Sequence, residues 1–311
     1  MFKRLWLGVG LGLWAGCSVA PEQAPAAKDE ARSQAPIVNG TNVQGSNDPS
    51  VVELAYGHVY WGQFYPEGTC TGELIGPRTV LTAGHCADDA EINPNHEALN
   101  QHFADQSFMI LALFGNDEAS ALSASSFIIV DAYEHHPNYI NPAQNNDPIN
   151  NPSNDVGIVH LAASTLSNGS AEPPLMEIVR GTLKPNSNNI LDPVRFVGFG
   201  ITGYISANNP RMDSGTKRTV TKHNVQTASA TLLYSELTTT DNGLTCSGDS
   251  GGPSLFSMPD LRGNGSNREY IIGVTSAGDQ TCTQAGFDTR VDAYYSFISG
   301  FMQAHGDAPS C

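Results

Sequence analysis

Positively charged residues are scarce in this sequence. It contains 15 Lys and Arg against 31 Asp and Glu, which gives a formal net charge of −16 at pH 7. A surface of this sign repels the phosphates of nucleic acids and the headgroups of anionic lipids. Nucleic acid is therefore not an expected partner, and the charge fits either solubility in an extracellular or salty medium or the attraction of cationic substrates.

Long apolar runs are also missing from the interior of the sequence. No internal stretch is long and apolar enough to span a membrane. The chain has 311 residues and 40% hydrophobic content, which is enough for one large or two medium cores. The composition therefore indicates a soluble globular protein after processing.

The N-terminus carries a targeting pattern. Two basic residues precede an apolar run over residues 5–15, which is typical of a secretory signal. We interpret residues 1–16 as a signal peptide and Cys17 as a lipid acceptor of the kind found in bacterial lipoproteins. Ordinary cleavage after Ala20 is the alternative. Residues 17–36 are rich in Ala, Pro and Gln, and we expect a flexible tether or pro-segment there.

The six cysteines show neither a Cys-x-x-Cys pair nor a zinc-ligand spacing. In an exported protein this pattern favours disulfides over metal ligation. We therefore expect no metal site and no cofactor. Cys311 has no expected partner at the C-terminus. It is either inert, or forms a disulfide between two chains, or belongs to a tail that extends to some other attachment.

Short alternating or β-branched runs, separated by Asn, Gly and Pro clusters, fill most of the sequence from residue 51 to residue 291. Many short strands at turn-rich spacing indicate an all-β barrel or sandwich. Near the C-terminus the apolar residues instead recur at helical spacing: Tyr294, Tyr295, Ile298, Phe301 and Met302. We expect a C-terminal helix over about residues 291–304, packed on the β structure.

The most informative motif is Cys-Ser-Gly-Asp-Ser-Gly-Gly-Pro over residues 246–253. Ser250 lies among glycines, which permit a tight turn that exposes the hydroxyl and lets backbone N–H groups converge on one point. A nucleophile with an oxyanion hole has these requirements. Taken alone, the string could also be only a turn.

Two upstream motifs resolve that ambiguity. Thr-Ala-Gly-His-Cys covers residues 82–86, and Asn-Asp-Val-Gly-Ile-Val-His-Leu covers residues 154–161. In this order the three motifs resemble those of the trypsin/chymotrypsin-like serine proteases. Further matches lie at residues 37–40, 70–75, 136–139 and 198–200. The resemblance spans about residues 37–302, and the chain is identified as an exported bacterial member of this family.

The resemblance implies an all-β fold made of two antiparallel six-stranded Greek-key barrels with a C-terminal helix. The protease domain would cover residues 37–311, with barrels over about residues 37–165 and 194–290. The active site of this family lies in the cleft between the barrels.

The resemblance also assigns roles within the site. Ser250 would be the nucleophile, His85 the general base and Asp155 the acid that orients His85, while the N–H groups of Gly248 and Ser250 would form the oxyanion hole. Asp147 is the competitor for the acidic role. It lies in an Asn- and Pro-rich insertion, whereas Asp155 opens an apolar strand and is preferred.

Several structural pairs follow from the same resemblance. The disulfides Cys70–Cys86 and Cys246–Cys282 would each clamp a loop that bears a catalytic residue. The α-ammonium of Ile37, freed by a cut, would pair with Asp249, for which an acid held only by turn amides is the alternative. Because residues 34–36 are Gln-Ala-Pro, the activating protease cannot have tryptic specificity.

The resemblance places a primary substrate pocket with Leu244 and Thr245 at its base and Ser276, Gly278 and Gly286 on its walls. A leucine base disfavours a buried charge, so we expect Phe, Tyr, Leu or Met before the scissile bond. The alternative is a basic side chain. That alternative requires the carboxylate of Asp288 to reach the cavity.

The sequence thus predicts a serine endopeptidase, monomeric, acting on protein or peptide substrates. The alternative is a non-catalytic binding protein on the same scaffold, although the complete triad argues against it. An esterase or other acyl hydrolase would share the nucleophile chemistry. The motif order His, Asp, Ser and the lack of alternating strand–helix units oppose an α/β-hydrolase.

Overall fold

The computed structural model describes most of the chain from Ile37 onward. The residues expected to form the signal peptide and tether, together with Cys17, Asp147 and Cys311, lie outside the described residues. The described residues are 37–92, 107–141, 145–146, 153–164, 169, 174–206, 209–210, 213–260 and 265–307.

Six strands of the N-terminal half form a closed antiparallel barrel in the order β2-β3-β4-β7-β6-β5. The ring closes because β2 pairs with β3 on one side and with β5 on the other. Apolar side chains such as Leu54, Leu81 and Ile158 fill its interior. The first seven strands are β1 (Thr41–Asn42), β2 (Val51–Tyr60), β3 (Gln63–Gly76), β4 (Thr79–Thr82), β5 (Ser107–Leu113), β6 (Phe127–His135) and β7 (Gly157–Leu161).

The C-terminal half forms a curled nine-stranded sheet in the order β1-β12-β9-β15-β16-β17-β14-β13-β8, and a two-stranded ribbon of β10 and β11. Val194, Phe196 and Tyr270 are fully buried in a second core here. The strands are β8 (Ile190–Leu191), β9 (Val194–Gly198), β10 (Tyr204–Ser206), β11 (Asn209–Pro210), β12 (Arg218–Lys222), β13 (Val225–Thr227), β14 (Leu232–Glu236), β15 (Pro253–Pro259), β16 (Asn267–Gly278) and β17 (Ala285–Arg290).

The predicted two-barrel all-β fold is confirmed, with a difference in how the second unit closes. Its edge strands are β1 and β8. The strands next to these edges, β12 and β13, do not pair with each other although only His223 and Asn224 separate them. The second unit is therefore a curled sheet and not a hydrogen-bonded ring. In addition, β1 pairs with β12 of this sheet although it precedes the barrel in sequence.

Helices are short and few in the described part of the chain. They are α1 (Asp89–Ile92), α2 (Glu118–Ser123) and α3 (Tyr295–Ala304), with 3-10 turns at Gly84–Ala87 and Val291–Tyr294. Ile298, Phe301 and Met302 of α3 are buried against the barrel core, which confirms the predicted C-terminal helix. Among the described residues, no helix has the length and apolar character needed to cross a bilayer.

Strand β3 joins the barrel to the curled sheet. The backbone N–H of Thr71 donates to the carbonyl oxygen of Ser250 at 2.7 Å, and its Oγ1 donates to the carbonyl oxygen of Gly248 at 2.9 Å. Thr71 Oγ1 in turn accepts from the N–H of Phe199 at 3.1 Å. The turn that carries Ser250 is thus anchored to the rigid barrel wall.

Candidate active site

His85 and Asp155 are brought together by the pairing of two barrel strands. His85 follows the end of β4 and Asp155 precedes the start of β7, where Thr82 lies opposite Gly157. The imidazole Nδ1 of His85 lies 3.0 Å from Oδ2 and 3.2 Å from Oδ1 of Asp155. The backbone N–H of His85 also donates to Oδ1 of Asp155 at 2.9 Å. The carboxylate therefore fixes both the position of the His85 backbone and the orientation of its ring.

The electrostatics of this pair favour ionised Asp155 beside an imidazole that readily accepts a proton. Burial would lower the pKa of His85, but the attraction and hydrogen bonding of Asp155 outweigh it and raise that pKa above the ordinary value of 6.5. Burial would likewise raise the pKa of Asp155, but the proximity of His85 lowers it below 3.8. Asp155 is fully buried and His85 is partly exposed, so the proton-accepting nitrogen can face the cleft.

Ser250 lies in a tight turn on the curled sheet. Gly248 and Gly251 adopt left-handed φ values of 93° and 85° in this turn. At Gly251 a Cβ atom would lie 2.1 Å from Oγ1 of Thr82, so the barrel approaches too closely for any other residue. The glycines on either side of Ser250 therefore serve both the turn and its contact with the barrel.

The neighbouring peptide between Ser247 and Gly248 has a fixed orientation. The carbonyl oxygen of Ser247 accepts from the N–H of Ile201 at 2.8 Å. Because the C=O and N–H of one trans peptide point in opposite directions, this bond turns the N–H of Gly248 away from Ile201. The bond to Ile201 therefore sets the direction of the Gly248 N–H.

Both expected disulfides are present. Cys70 is bonded to Cys86 with a Cα–Cα distance of 6.2 Å, and Cys246 is bonded to Cys282 with 5.4 Å. The first links β3 to the 3-10 turn that carries His85. The second links the Ser250 loop to the segment between β16 and β17.

A cavity of about 410 Å³ lies between the barrel and the curled sheet, and it contains both His85 and Ser250. Three of the five predicted substrate-binding residues line it, namely Thr245, Ser276 and Gly278. The wall is rich in hydroxyl groups and also carries the carboxylates of Glu91 and Asp279. No Lys or Arg occurs among the described residues that line this cavity.

Leu244 and Gly286, the other two predicted pocket residues, lie behind the wall. Leu244 is 2% exposed and pairs through its backbone with Val38. A Cβ atom at Gly286 would lie 3.4 Å from Cδ1 of Leu244 and 3.3 Å from Oγ1 of Thr245. The Gly286 position therefore contacts both Leu244 and Thr245, and neither Leu244 nor Gly286 belongs to the described cavity lining.

Asp288 is a buried acid behind the cavity. It lies opposite Thr275 in the β16–β17 pair and is 1% exposed. Burial raises its pKa to about 7. The described lining of the cavity does not include Asp288, which favours the interpretation of this residue as a structural acid.

Ser276 has a contact that the sequence did not suggest. Its Oγ donates to Oδ2 of Asp155 at 2.6 Å, although Ser276 belongs to the curled sheet and Asp155 to the barrel. The sequence predicted only a wall of the substrate groove at this position. A local motif contains no information on such a contact between residues 121 positions apart.

Asp249 is fully buried next to Ser250 in the chain. Its Oδ1 accepts from the N–H of Gly200 at 2.8 Å and its Oδ2 from the N–H of Cys246 at 2.8 Å. Burial raises its pKa to about 7 against the opposing effect of these two bonds and of the Arg218 charge. Ile37 is also fully buried, in the core of the curled sheet.

These features define an all-β protein with a histidine–carboxylate pair and a partly exposed serine in one cleft. Comparison with known proteins identifies the class: the model of the Trypsin family matches residues 37–298. The chain therefore belongs to the trypsin family, and this membership supports a protease function.

Curated relatives and solved structures agree with this family. Trypsin, alkaline C, of Manduca sexta is 27% identical over 279 residues, which cover 85% of this chain and 90% of that protein. The clotting factor G beta subunit of Tachypleus tridentatus is 24% identical over 253 residues, covering 74% and 69%. The chain is also similar to a solved structure of a Glu endopeptidase in complex with MPD, with a TM-score of 0.53 and 17% sequence identity. The match covers 85% of this chain and 96% of that chain, and it shows a likeness in fold.

Proposed function

We propose that this protein is a serine endopeptidase that cleaves protein or peptide substrates through an acyl-enzyme on Ser250. The observation that carries the proposal is the presence of the His85–Asp155 pair and Ser250 in the same cavity. A peptidase requires a nucleophile, a base and oxyanion donors within reach of one carbonyl. His85 and Ser250 of this cavity would be the base and the nucleophile, and the N–H groups of Gly248 and Ser250 are the proposed oxyanion donors.

In the proposed mechanism, His85 takes the proton of Ser250 Oγ as this oxygen attacks the scissile carbonyl. Asp155 stabilises the imidazolium that forms, and the N–H groups of Gly248 and Ser250 stabilise the negative oxygen of the tetrahedral intermediate. His85 then donates its proton to the leaving amine, and the acyl group stays on Ser250. Water, activated by His85 in the same way, releases the acyl product and restores the serine.

Two rival functions share parts of this site. A non-catalytic binding protein would not need the aligned, buried Asp155 that holds both the ring and the backbone of His85. An esterase would use the same nucleophile, and a comparison of ester and amide substrates separates the two activities. Family membership favours peptide substrates over esters.

We propose that the enzyme prefers substrates with an apolar side chain, Phe, Tyr, Leu or Met, before the scissile bond. Leu244 and the Gly286 position both contact Thr245, which lines the cavity, and Asp288 is 1% exposed. A Gly286→Val change would press on Leu244 and Thr245 and should raise KM for Phe or Tyr substrates more than for Ala substrates. A cleavage profile dominated by Lys and Arg, and lost in Asp288→Asn, would overturn this preference.

We further propose that the protein is exported as a precursor and functions as a monomer. Two disulfides suit an oxidising compartment. An unidentified protease would cut before Ile37, which would also release the domain from any lipid on Cys17. Labelled fatty acid should enter the precursor in a bacterial host and should be lost in Cys17→Ser. If wild-type protein takes up no label, ordinary signal cleavage applies.

The decisive test of the main proposal is the reactivity of Ser250. A fluorophosphonate probe should label wild-type protein at Ser250, and Ser250→Ala or His85→Ala should lose peptidase activity by many thousandfold. Ser257→Ala is a matched control, since Ser257 is an exposed residue of β15. Robust cleavage by purified Ser250→Ala would refute the assignment.

A further inference from the structure

Tyr204 contacts the residue next to the candidate oxyanion turn. Its hydroxyl lies 2.8 Å from Oγ of Ser247, and both residues line the cavity that contains Ser250. Tyr204 begins β10, at the start of the two-stranded ribbon. Neither the motifs nor the roles described above include this tyrosine.

The Ser247–Gly248 peptide contacts the segment that ends at Tyr204. Ile201 N–H binds the carbonyl oxygen of Ser247, and Gly200 lies directly under Gly248, where an added Cβ would be 2.8 Å from the Cα of Gly200. Gly248 has no side chain and adopts a left-handed φ of 93°. Because glycine has wide conformational freedom, this peptide depends on its neighbours to keep one orientation.

The bond from Tyr204 acts on the same peptide through the side chain of Ser247. Tyr204 is half-buried and packs, together with Val38, against Ile201 and the Cys246–Cys282 disulfide. Its ring is therefore immobilised by apolar contacts, and its hydroxyl offers Ser247 a fixed partner. Ser247 itself is exposed and would otherwise be free to rotate in water.

We propose that Tyr204 is a positioning residue that, through Ser247, keeps the Gly248 N–H directed into the cleft. The proposal rests on the proposed function, because the N–H matters only if an oxyanion forms there. Its loss should act on the transition state, in which the oxygen carries negative charge, and much less on substrate binding. The expected signature is a lower kcat with little change in KM.

The test is a double-mutant cycle with Tyr204→Phe and Ser247→Ala on the mature protein. Each single change should lower kcat for a peptide amide about 3- to 10-fold, the range for one lost hydrogen bond, and leave KM within about twofold. The double variant should be no slower than the slower single variant, because both changes remove the same bond. Inhibition by a peptide aldehyde, which forms an oxyanion analogue, should weaken in proportion to kcat.

Tyr65→Phe is the matched control, since the Tyr65 hydroxyl binds Gln63 on an exposed hairpin and should not affect kcat. An unchanged kcat in Tyr204→Phe, an effect confined to KM, or additive effects in the double variant would overturn the proposal. Failure of the proposed function is recognised separately, as absent cleavage and absent labelling of Ser250 in wild type. In that case amide hydrogen exchange of the 246–252 segment still tests the positioning role of Tyr204. If Tyr204 holds this segment, exchange should be faster in Tyr204→Phe than in wild type, and equal rates would refute the proposal.

Discussion

Ser276 of the curled sheet donates a hydrogen bond at 2.6 Å to the carboxylate of Asp155, a residue of the barrel. The same carboxylate holds His85. The alignment of the His85–Asp155 pair therefore depends on how the two β units meet. Ser276 and Asp155 are both buried, so water cannot easily replace the bond between them.

Replacement of Ser276 by alanine should reduce catalysis without abolishing it. Asp155 would keep its bonds to His85 and would lose one donor, so we expect kcat/KM to fall about 3- to 10-fold. Steady-state kinetics on a peptide amide provide the measurement. Ser299→Ala, on the exposed face of α3, should have wild-type activity. Equal rates in both variants would contradict a role for the Ser276 bond.

The pH dependence of activity should report the proton affinity of His85. His85 must be neutral to act as a base, and Asp155 raises its pKa above 6.5. We therefore expect kcat/KM to fall as the pH drops through a midpoint above 6.5, measured between pH 5 and pH 9. Asp155→Asn should lower kcat by roughly 10⁴-fold, the loss known for the corresponding change in other triad enzymes. An acidic limb with its midpoint below 6.5 would show that another group controls the rate.

The sequence predicted features that are encoded locally and missed those that depend on folding. Ser250, with its adjacent glycines, and His85, with its neighbouring cysteine, stand in short motifs whose chemistry is readable. The bond from Ser276 to Asp155 and the contact of Tyr204 with Ser247 join distant parts of the chain, and no local pattern reports them.

Strand content was predictable from alternating and β-branched runs, but sheet closure was not. Strands β12 and β13 follow each other within two residues, yet they lie near opposite ends of the strand order and do not pair, so the second unit is a curled sheet. The burial of Leu244 behind Thr245 likewise depends on its backbone pairing with Val38, some 200 residues away in sequence. Such pairings are properties of the assembled fold.

A buried acid on the barrel should make stability depend on pH. Glu53 is fully buried, and burial raises its pKa to about 8, with a bond from Thr69 Oγ1 opposing this effect. Because the unfolded chain ionises near pH 4.5, the stabilising contribution is complete below that pH and is lost as the pH rises through 8. Glu53→Gln should remove this loss, which is on the order of a few kcal/mol.

The measurement for Glu53 is the free energy of unfolding in denaturant at pH 5 and pH 8. Wild type should lose more stability between these values than Glu53→Gln does. Glu134→Gln is the control, since Glu134 is an exposed residue of β6 and should leave the pH dependence unchanged. An identical loss in Glu53→Gln and wild type would show that Glu53 already ionises in the folded state.

Gly200 should tolerate no side chain, whereas Gly300 should accept one. A Cβ at Gly200 would lie 2.6 Å from both the Asp249 nitrogen and the Ser247 oxygen, so Gly200→Ala should displace the Ser250 turn and destabilise the protein by about 1–3 kcal/mol. At Gly300, in α3, a Cβ meets no atom within 4 Å. Gly300→Ala should stabilise the protein by about 0.5–1 kcal/mol with normal activity. Thermal unfolding and activity together test the pair, and an active Gly200→Ala enzyme of wild-type stability would contradict the close approach.

Full activity should require a chain that begins at Ile37. The carboxyl group of Asp249, whose pKa burial raises to about 7, lies beside the turn that carries Ser250 and Gly248. A free ammonium on Ile37 would supply the positive charge that this buried acid needs. Removing one partner of a buried ion pair typically destabilises a protein by about 3–5 kcal/mol. Chains that retain residues before Ile37, and Asp249→Asn in the cut form, should therefore lose activity by about 100-fold or more. N-terminal sequencing of the active species identifies its first residue. Asp131→Asn, an exposed change on β6, is the control for the activity of Asp249→Asn. Full activity in a chain that still carries the preceding segment would show that the Ser250 turn is ordered without this pair.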